Sequence, residues 1–208
     1  PEEGIVDYRA VCDTMAAEIQ KRGGVILTNA QVTKLHRHGD EWIAQTPQGE
    51  SRGQWLVNTA GLHCDRVSEL AGEKREVRIV PFRGEYYQLS DEAKHLCRHL
   101  IYPVPDPAFP FLGVHFTRMI GGGVEAGPNA VLAFAREGYR LRDIDLHDLA
   151  DALTFPGLWR LLKRYPSMAF TELIQSLSRE RFCRNLQRLV PEVQPEHPRA
   201  ISALPFPL

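Results

Sequence analysis

The spacing of apolar and polar positions divides the chain into an α/β part, a β-rich part and a helical part. In residues 8–22, apolar side chains recur at helical spacing behind Asp7, a residue type that commonly caps helices. Short apolar or alternating runs bounded by glycine, proline and asparagine then predict strands. The predicted strands lie at residues 25–28, 31–37, 42–46 and in a run that ends at 55–57.

The last of these runs leads into the small residues Thr59, Ala60 and Gly61, and a helix is predicted to begin near Asp65. A glycine between a strand and a helix lets a ligand approach the backbone, and a helix N-terminus favours an anion. The pattern suits a phosphate-bearing cofactor. An ordinary strand-to-helix turn explains it as well, and for the turn alone we favour that reading.

Residues 77–134 are rich in β-branched and aromatic residues, with strands predicted at 78–89 and 111–117 and a glycine-rich turn or strand at 121–127. From residue 145 onward the apolar spacing becomes helical. The predicted helices lie at residues 146–153, 158–163 and 171–189. We therefore expect a mixed α/β (α+β) fold.

The composition narrows the classes of function. With 208 residues, 43% hydrophobic and 25% charged, the chain suits one large domain or two small ones, and its net charge of −1 gives no support for nucleic-acid binding. Its four cysteines are widely spaced without a C-x-x-C motif, which fits a reducing compartment and argues against a zinc site. No apolar run is long enough to span a bilayer. Since the sequence starts at Pro1 without a signal peptide, we expect an internal piece of a longer protein.

Residues 121–126 formally match the pattern G-x-G-x-x-A of dinucleotide-binding loops. That motif requires a helix to begin at the glycines, but Pro128 would break such a helix in its first turns. We therefore predict a hairpin turn here and no phosphate-binding loop.

Several polar residues are candidates for chemistry. Arg83, in an apolar strand, can present its guanidinium to a carboxylate, or its stem can cover aromatic surface. His115, between two apolar residues, can be a general base or a structural histidine. His63 follows the Ala60–Gly61 turn and is more simply a capping or solvent-facing residue. By default Tyr102 belongs to the core and Asn129 to a turn.

The helical tail is basic, with seven arginines and lysines against two glutamates between residues 156 and 190. A basic amphipathic helix can lie on an anionic membrane. Packing of its apolar side on the protein's own core is the favoured alternative.

Seven runs of sequence together resemble a known enzyme family, the L-2-hydroxyglutarate dehydrogenases/oxidases, which are FAD-dependent oxidoreductases of the D-amino-acid-oxidase type. The runs are GIVDYR at 4–9, GVILTN at 24–29, NTAGLHCDR at 58–66, IVPFRGEY at 79–86, IYPVPD at 101–106, PFLGVHFT at 110–117 and GPNAVLAF at 127–134. The resemblance implies part of a Rossmann-like FAD domain (residues 1–76), a substrate domain on a mixed or antiparallel sheet (77–190) and an atypical tail (191–208).

The resemblance also implies roles for residues. Val32, Thr59, Ala60 and Gly61 are expected to meet FAD, and Arg83, Tyr102 and Asn129 are expected to bind the substrate. His115, with His63 second, is expected to be the base that takes the hydroxyl proton. A hydride passes from the substrate to the flavin, and electrons pass on to a quinone or to oxygen. No metal ligand is implied.

The resemblance implies a small 2-hydroxy acid as the substrate and a cytoplasmic location or a peripheral position at the inner membrane. The sequence departs from the family in having no G-x-G-x-x-G at its start and no glycine-rich closing segment at its end. An alternative therefore stands beside the enzyme hypothesis: a catalytically inactive fragment that keeps the substrate-domain fold and binds no cofactor.

Overall fold

The structure is a computed structural model that describes residues 4–105, 113–166, 176, 178–200 and 204–207. The chain forms two compact units, Pro1–Arg78 and Ile79–Leu208. Each unit is described by itself below.

The first unit begins with helix α1, Tyr8–Lys21, whose N-terminus is capped by the Asp7 carboxylate. A three-stranded antiparallel sheet follows, in the order β1-β2-β3, and Leu35 and Ile43 are its buried apolar side chains. The strands are β1, Lys34–His38, β2, Glu41–Thr46, and β3, Gly49–Gly53. The predicted helix and the meander of strands are thus confirmed.

Two apolar runs of the first unit are not strands, contrary to prediction. Residues 25–28 and 55–57 have no strand pairing, and Val25, Trp55 and Val57 are 80%, 88% and 80% exposed. Backbone groups form a strand only where a neighbouring strand offers hydrogen bonds. Within the described residues no strand lies beside either run. The turn after residues 55–57 forms as predicted, with a 3₁₀ turn at Gly61–His63 and helix α2, Cys64–Leu70.

The second unit is built on a five-stranded antiparallel sheet in the order β5-β6-β4-β7, with β8 also paired to β4. Strands β7 and β8 pair with successive stretches of β4, residues 87–89 and 81–84, while β6 pairs along the other edge of β4. The strands are β4, Pro81–Leu89, β5, His115–Arg118, β6, Val124–Leu132, β7, Pro198–Ala200, and β8, Leu204–Pro207.

A bulge interrupts the pairing of β4 with β6. Glu85 pairs with Asn129 and Tyr87 pairs with Ala126, so β6 contains one more residue than β4 in this stretch. Gly127 lies in the bulge with a φ of 149°, and an added Cβ would lie 2.8 Å from the Glu85 carbonyl oxygen. Only glycine adopts this backbone without strain. Since a turn at 119–123 and then strand β6 follow residue 118, the predicted hairpin at the glycine-rich run is confirmed.

Helices cover both faces of the second sheet. Val80 and Phe82 form a buried cluster with Ala152 of helix α3, Leu146–Leu153, and Leu158 of helix α4, Pro156–Arg164. A larger cluster joins the β-strands to Phe182, Cys183 and Leu186 of helix α5, Arg179–Gln187. The described parts of the basic tail therefore pack their apolar sides on the protein's own core, as favoured from the sequence. Part of the helix predicted at 171–189 and the start of the strand predicted at 111–117 lie outside the described residues.

Strand alternation assigns side chains of β4 to two faces. Tyr87 lies 4.4 Å from Phe182, ring centroid to ring centroid, so Arg83, Glu85 and Tyr87 point to the face covered by α5. We call this the α5 face. Phe82, Tyr86 and Gln88 point to the opposite face.

Within the described residues, no helix is both long and apolar enough to cross a membrane.

Candidate active site

His115 is the first residue of β5 and lies opposite Gly127 of β6. Its neighbour Phe116 is fully buried in the cluster that contains Phe182. Successive strand residues point to opposite faces, so the imidazole of His115 points away from the α5 face. His115 lies on the face opposite that core, and yet it is only 8% exposed, so its side chain is buried.

Two contacts orient the His115 ring. Its Nδ1 atom lies 3.2 Å from the Gly113 carbonyl oxygen. Because a carbonyl only accepts hydrogen bonds, Nδ1 carries the proton and Nε2 carries the lone pair of the neutral ring. The ring also stacks on Tyr102, with centroids 4.3 Å apart and planes 15° apart. Burial lowers the pKa of His115, and the Gly113 carbonyl opposes that shift.

Tyr102 contacts His115 from a segment outside the strands β1–β8. Ile101 and Phe116 exchange two backbone hydrogen bonds, of 3.0 and 2.9 Å, which place Tyr102 beside β5. The phenolic oxygen of Tyr102 lies 3.2 Å from the Thr117 hydroxyl oxygen. Tyr102 is 46% exposed, so this side of the cluster is open to solvent. We call the face that holds His115, Thr117 and Tyr102 the Tyr102 face.

Two further titratable side chains belong to the Tyr102 face. Glu125 of β6 lies opposite Thr117, and burial raises the pKa of its carboxyl group. Burial raises the pKa of Tyr86 as well, and the charges of Glu125 and Tyr102 add to the rise. Burial on the Tyr102 face thus disfavours the charged forms of His115, Glu125 and Tyr86. His115 is therefore neutral near pH 7, which leaves one ring nitrogen unprotonated, as a general base requires.

Arg83 belongs to a second polar group, on the α5 face. Its side chain is 2% exposed, and its Nη2 and Nε atoms donate to Oε1 of Glu85 at 2.9 and 3.3 Å. Within the fold Arg83 thus pairs with the carboxylate of Glu85, and the substrate carboxylate expected from the resemblance stays a prediction. Glu85 also accepts from the Ser176 hydroxyl at 2.9 Å and from Nδ2 of Asn129 at 3.3 Å.

Asn129 was expected in a turn by default, and the structure places it within β6, 1% exposed. The proline before it does not end the strand because the bulge accommodates residues 127 and 128. Its pairing opposite Glu85 explains why the amide meets the carboxylate.

The structure brings His115 and Tyr102 together, and it brings Arg83 and Asn129 together through Glu85. Strand alternation places these two groups on opposite faces of the sheet. The shared substrate site predicted for Arg83, Tyr102, Asn129 and His115 therefore stays a prediction.

The cofactor residues expected from the sequence lie in the first unit. Val32 is half-buried and lies two residues before β1, while Thr59 and Ala60 are exposed. Gly61 has a φ of 52°, and no atom lies within 4 Å of the position of an added Cβ. A ligand can therefore approach this backbone closely, which fits the expected contact with FAD. His63, the second candidate base, ends the 3₁₀ turn and is half-buried.

Asp145, His147 and Asp148 come close enough to share a cation. The carboxylates of Asp145 and Asp148 already accept hydrogen bonds from backbone N–H groups. Asp145 caps α3 by accepting from the backbone N–H of Asp148, and Asp148 accepts from the backbone N–H of Arg136 at 2.8 Å. This cluster gives no reason to revise the expectation from sequence.

Sequence reasoning missed Glu85, Thr117, Glu125 and Ser176. For two of them a signal was present: Glu85 follows Arg83 by two residues, and Thr117 follows His115 by two. In a strand that spacing puts side chains on one face. For Glu125 and Ser176 the sequence carries no such signal, because the pairing of strands and the position of α5 bring them into place.

Comparison with known proteins identifies the family. A model described as FAD dependent oxidoreductase matches residues 1–200. The chain belongs to the FAD dependent oxidoreductase family. FAD is the cofactor of this family, so the expected family and cofactor are confirmed.

Three similar curated proteins share the name L-2-hydroxyglutarate dehydrogenase. The chain is 44% identical over 195 residues to the L-2-hydroxyglutarate dehydrogenase of Indibacter alkaliphilus, covering 93% of this chain and 49% of the relative. It is 44% identical over 194 residues to the Escherichia coli K12 enzyme of that name, covering 93% and 46%. It is 42% identical over 205 residues to the human mitochondrial one, covering 93% and 44%. The chain thus spans about half the length of the curated relatives it matches.

A solved structure supports the fold. L-alpha-glycerophosphate oxidase from Mycoplasma pneumoniae, reduced with dithionite and with FAD bound, superposes with a TM-score of 0.62 at 17% identity. The match covers 94% of this chain and 43% of that one. Together with the helices and antiparallel sheets described above, it confirms the mixed α/β fold class.

Proposed function

We propose that the full-length protein containing this chain oxidises L-2-hydroxyglutarate to 2-oxoglutarate with FAD. The support is the 44% identity, over 93% of this chain, to proteins named L-2-hydroxyglutarate dehydrogenase. The observation in the structure that agrees best with the proposal is His115, a buried histidine with its Nε2 lone pair available and its Nδ1 proton held by Gly113.

Oxidation of a 2-hydroxy acid removes a hydride from C2 and a proton from the hydroxyl group. FAD supplies the hydride acceptor when it is bound. His115 accepts the hydroxyl proton at Nε2, and the Gly113 carbonyl stabilises the resulting imidazolium through the Nδ1 proton. Tyr102, exposed beside His115, contacts the substrate on the solvent side.

Thr59, Ala60 and Gly61 are the residues of this chain that would lie against FAD, because they are exposed and leave room at the backbone. Val32 is the further contact expected before β1. Arg83 and Asn129 are the further substrate contacts that we propose, and within the fold both also bond to Glu85, which links β4 to β6. Quinone or oxygen remains the proposed electron acceptor, with a peripheral membrane position as part of that proposal.

The test is turnover of L-2-hydroxyglutarate by the FAD-loaded full-length protein, with the D-enantiomer and L-glycerol 3-phosphate as comparison substrates. We expect 2-oxoglutarate to form from the L-enantiomer alone. Reduction of the flavin by either comparison substrate, without reduction by L-2-hydroxyglutarate, would contradict the proposed substrate.

A further inference from the structure

We propose that Thr117 is a positioning residue for this reaction: its hydroxyl holds the phenol of Tyr102, and the phenol ring holds the imidazole of His115. The inference rests on the proposed function, in which His115 is the base. It adds a residue that does not touch the substrate and acts through Tyr102.

Two successive contacts link the side chains of His115, Tyr102 and Thr117. His115 and Thr117 are two residues apart on β5 and therefore point to the same face. Tyr102 spans both of them, with its ring centroid 4.3 Å from that of His115 and its oxygen 3.2 Å from the oxygen of Thr117. One tyrosine thus connects the alternate residues of the strand.

Tyr102 depends on this contact because its own backbone gives it little support. Beyond the bridge at Ile101, residues 102–105 pair with no described strand, and the side chain is 46% exposed. The ring has two side-chain torsions, and a hydrogen bond at its far end restricts both in addition to the stacking on His115. Among the described contacts, Thr117 makes that bond.

The stacked ring controls what reaches His115. A phenol that lies 4.3 Å from the imidazole keeps water from one face of the ring and keeps Nε2 in one direction. When the phenol moves, water solvates the imidazolium, and the pKa of His115 returns toward its ordinary value. Among the described residues, the other titratable groups on this side are Tyr102 itself, Glu125 of β6 and Tyr86 of β4, while Arg118 of β5 is exposed.

The variant Thr117→Val removes the hydroxyl and keeps a β-branched side chain in the strand. In the FAD-loaded full-length protein we expect kcat/KM for L-2-hydroxyglutarate to fall about tenfold, as for a displaced catalytic group. The acid limb of the pH profile and the NMR titration of His115 should both move to higher pH. Thr117→Ser restores the hydroxyl and should return both properties to within about twofold of the wild type.

Tyr102→Phe removes the other end of the same hydrogen bond and should raise the pKa of His115 in the same direction. If the bond is the cause, the double variant Thr117→Val/Tyr102→Phe shifts that pKa no further than either single variant. Thr33→Val, which removes an exposed hydroxyl bonded to the Gln45 carbonyl oxygen, is the matched control and should leave both readouts unchanged.

Wild-type kinetics and a wild-type His115 titration in Thr117→Val would overturn this role for Thr117. If Thr117→Val does not fold, a wild-type titration in Tyr102→Phe would overturn it equally. The proposed function fails by a separate result, reduction of the flavin by a comparison substrate without reduction by L-2-hydroxyglutarate, and the role of His115 as the base fails if turnover is unchanged in His115→Ala. The two proposals are therefore distinguishable.

Discussion

At the scale of single residues, burial acts in opposite directions on the two acid–base groups of the Tyr102 face. It lowers the pKa of His115 and raises that of Glu125, because in both cases it disfavours the charged form. Burial keeps His115 unprotonated near pH 7, as a general base requires, although it also makes the ring a weaker proton acceptor. The same burial makes ionisation of the Glu125 carboxyl group costly for folding.

Replacement of His115 by alanine tests its role as the base. We expect turnover of L-2-hydroxyglutarate to fall by about 10²–10⁴-fold, the usual contribution of a general base. FAD absorbance of the purified full-length protein should be unchanged, since His115 is in the second unit and the expected FAD contacts are in the first. The exposed His38→Ala is the control and should retain full turnover.

Replacement of Glu125 by glutamine tests the cost of its burial. A carboxyl whose pKa is raised by folding stabilises the protein below the ordinary value of 4.5, and that stability is lost as the pH rises through the folded-state pKa. Glu125→Gln should therefore raise the thermal unfolding midpoint at pH 7 and leave it nearly unchanged at pH 4. The exposed Glu92→Gln serves as the control. An equal gain at both values of pH would show that ionisation is not the cause.

At the scale of elements, strand β4 joins the second unit together. Its Arg83 and Glu85 meet Asn129 of β6 and Ser176, which lies shortly before α5. On the opposite face of β4, Phe82 packs against the helices α3 and α4. The bulge opposite Glu85 is what allows Asn129 to face the carboxylate.

Replacement of Glu85 by leucine should strongly destabilise the second unit. It leaves the Arg83 guanidinium, whose side chain is 2% exposed, buried without its carboxylate. Loss of one partner of a buried ion pair costs about 3–5 kcal/mol, and we expect the lower end because Glu85 retains partial exposure. Urea unfolding measures the cost. Glu50→Leu breaks the exposed pair with Arg52 and should cost less than about 1 kcal/mol.

The bulge is tested by Gly127→Ala. The new Cβ would clash with the Glu85 carbonyl oxygen, and the φ of 149° is strained for alanine. We expect a loss of about 1–3 kcal/mol in the free energy of unfolding. Gly121→Ala, in the preceding turn with open space around its Cβ, should be nearly neutral. Equal losses in the two variants would mean that the bulge geometry carries no special cost.

At the scale of the whole molecule, the two units differ in how well they bury their apolar residues. The second unit has two buried clusters, while Leu35 and Ile43 are the buried apolar side chains of the first unit among the described residues. The curated relatives are about twice as long as this chain. We therefore expect the additional length of a full protein to matter most for the first unit, where the expected FAD contacts lie.

Cofactor retention tests this expectation. When the 208-residue chain is incubated with FAD and desalted, we expect no flavin absorbance to remain, because the exposed turn at Thr59–Gly61 offers only part of a binding surface. The full-length protein treated in the same way should stay yellow. Retained absorbance in the short chain would mean that its own residues suffice to hold FAD, and would remove the inactive-fragment alternative.

Much of the fold was predictable because helices and strands follow local spacing. Helix α3 was predicted at its observed bounds, and α1 and β2 were each predicted to within one residue. The failures at residues 25–28 and 55–57 concern apolar runs that need a strand from elsewhere. For the site, the sequence pointed to His115, but the tyrosine that stacks on it was predicted only as a substrate contact.

The sequence by itself determined the family and the order of elements, because family motifs and apolar periodicity are properties of neighbouring residues. Only the tertiary structure decided which side chains meet. The bulge at Gly127, the pairing of β4 with β6 and the bridge at Ile101 place Asn129 against Glu85 and Tyr102 against His115. Contacts between residues far apart in the chain depend on the register in which strands pair. A shift of one residue in that register would move each side chain of the strand to the other face of the sheet and remove both contacts.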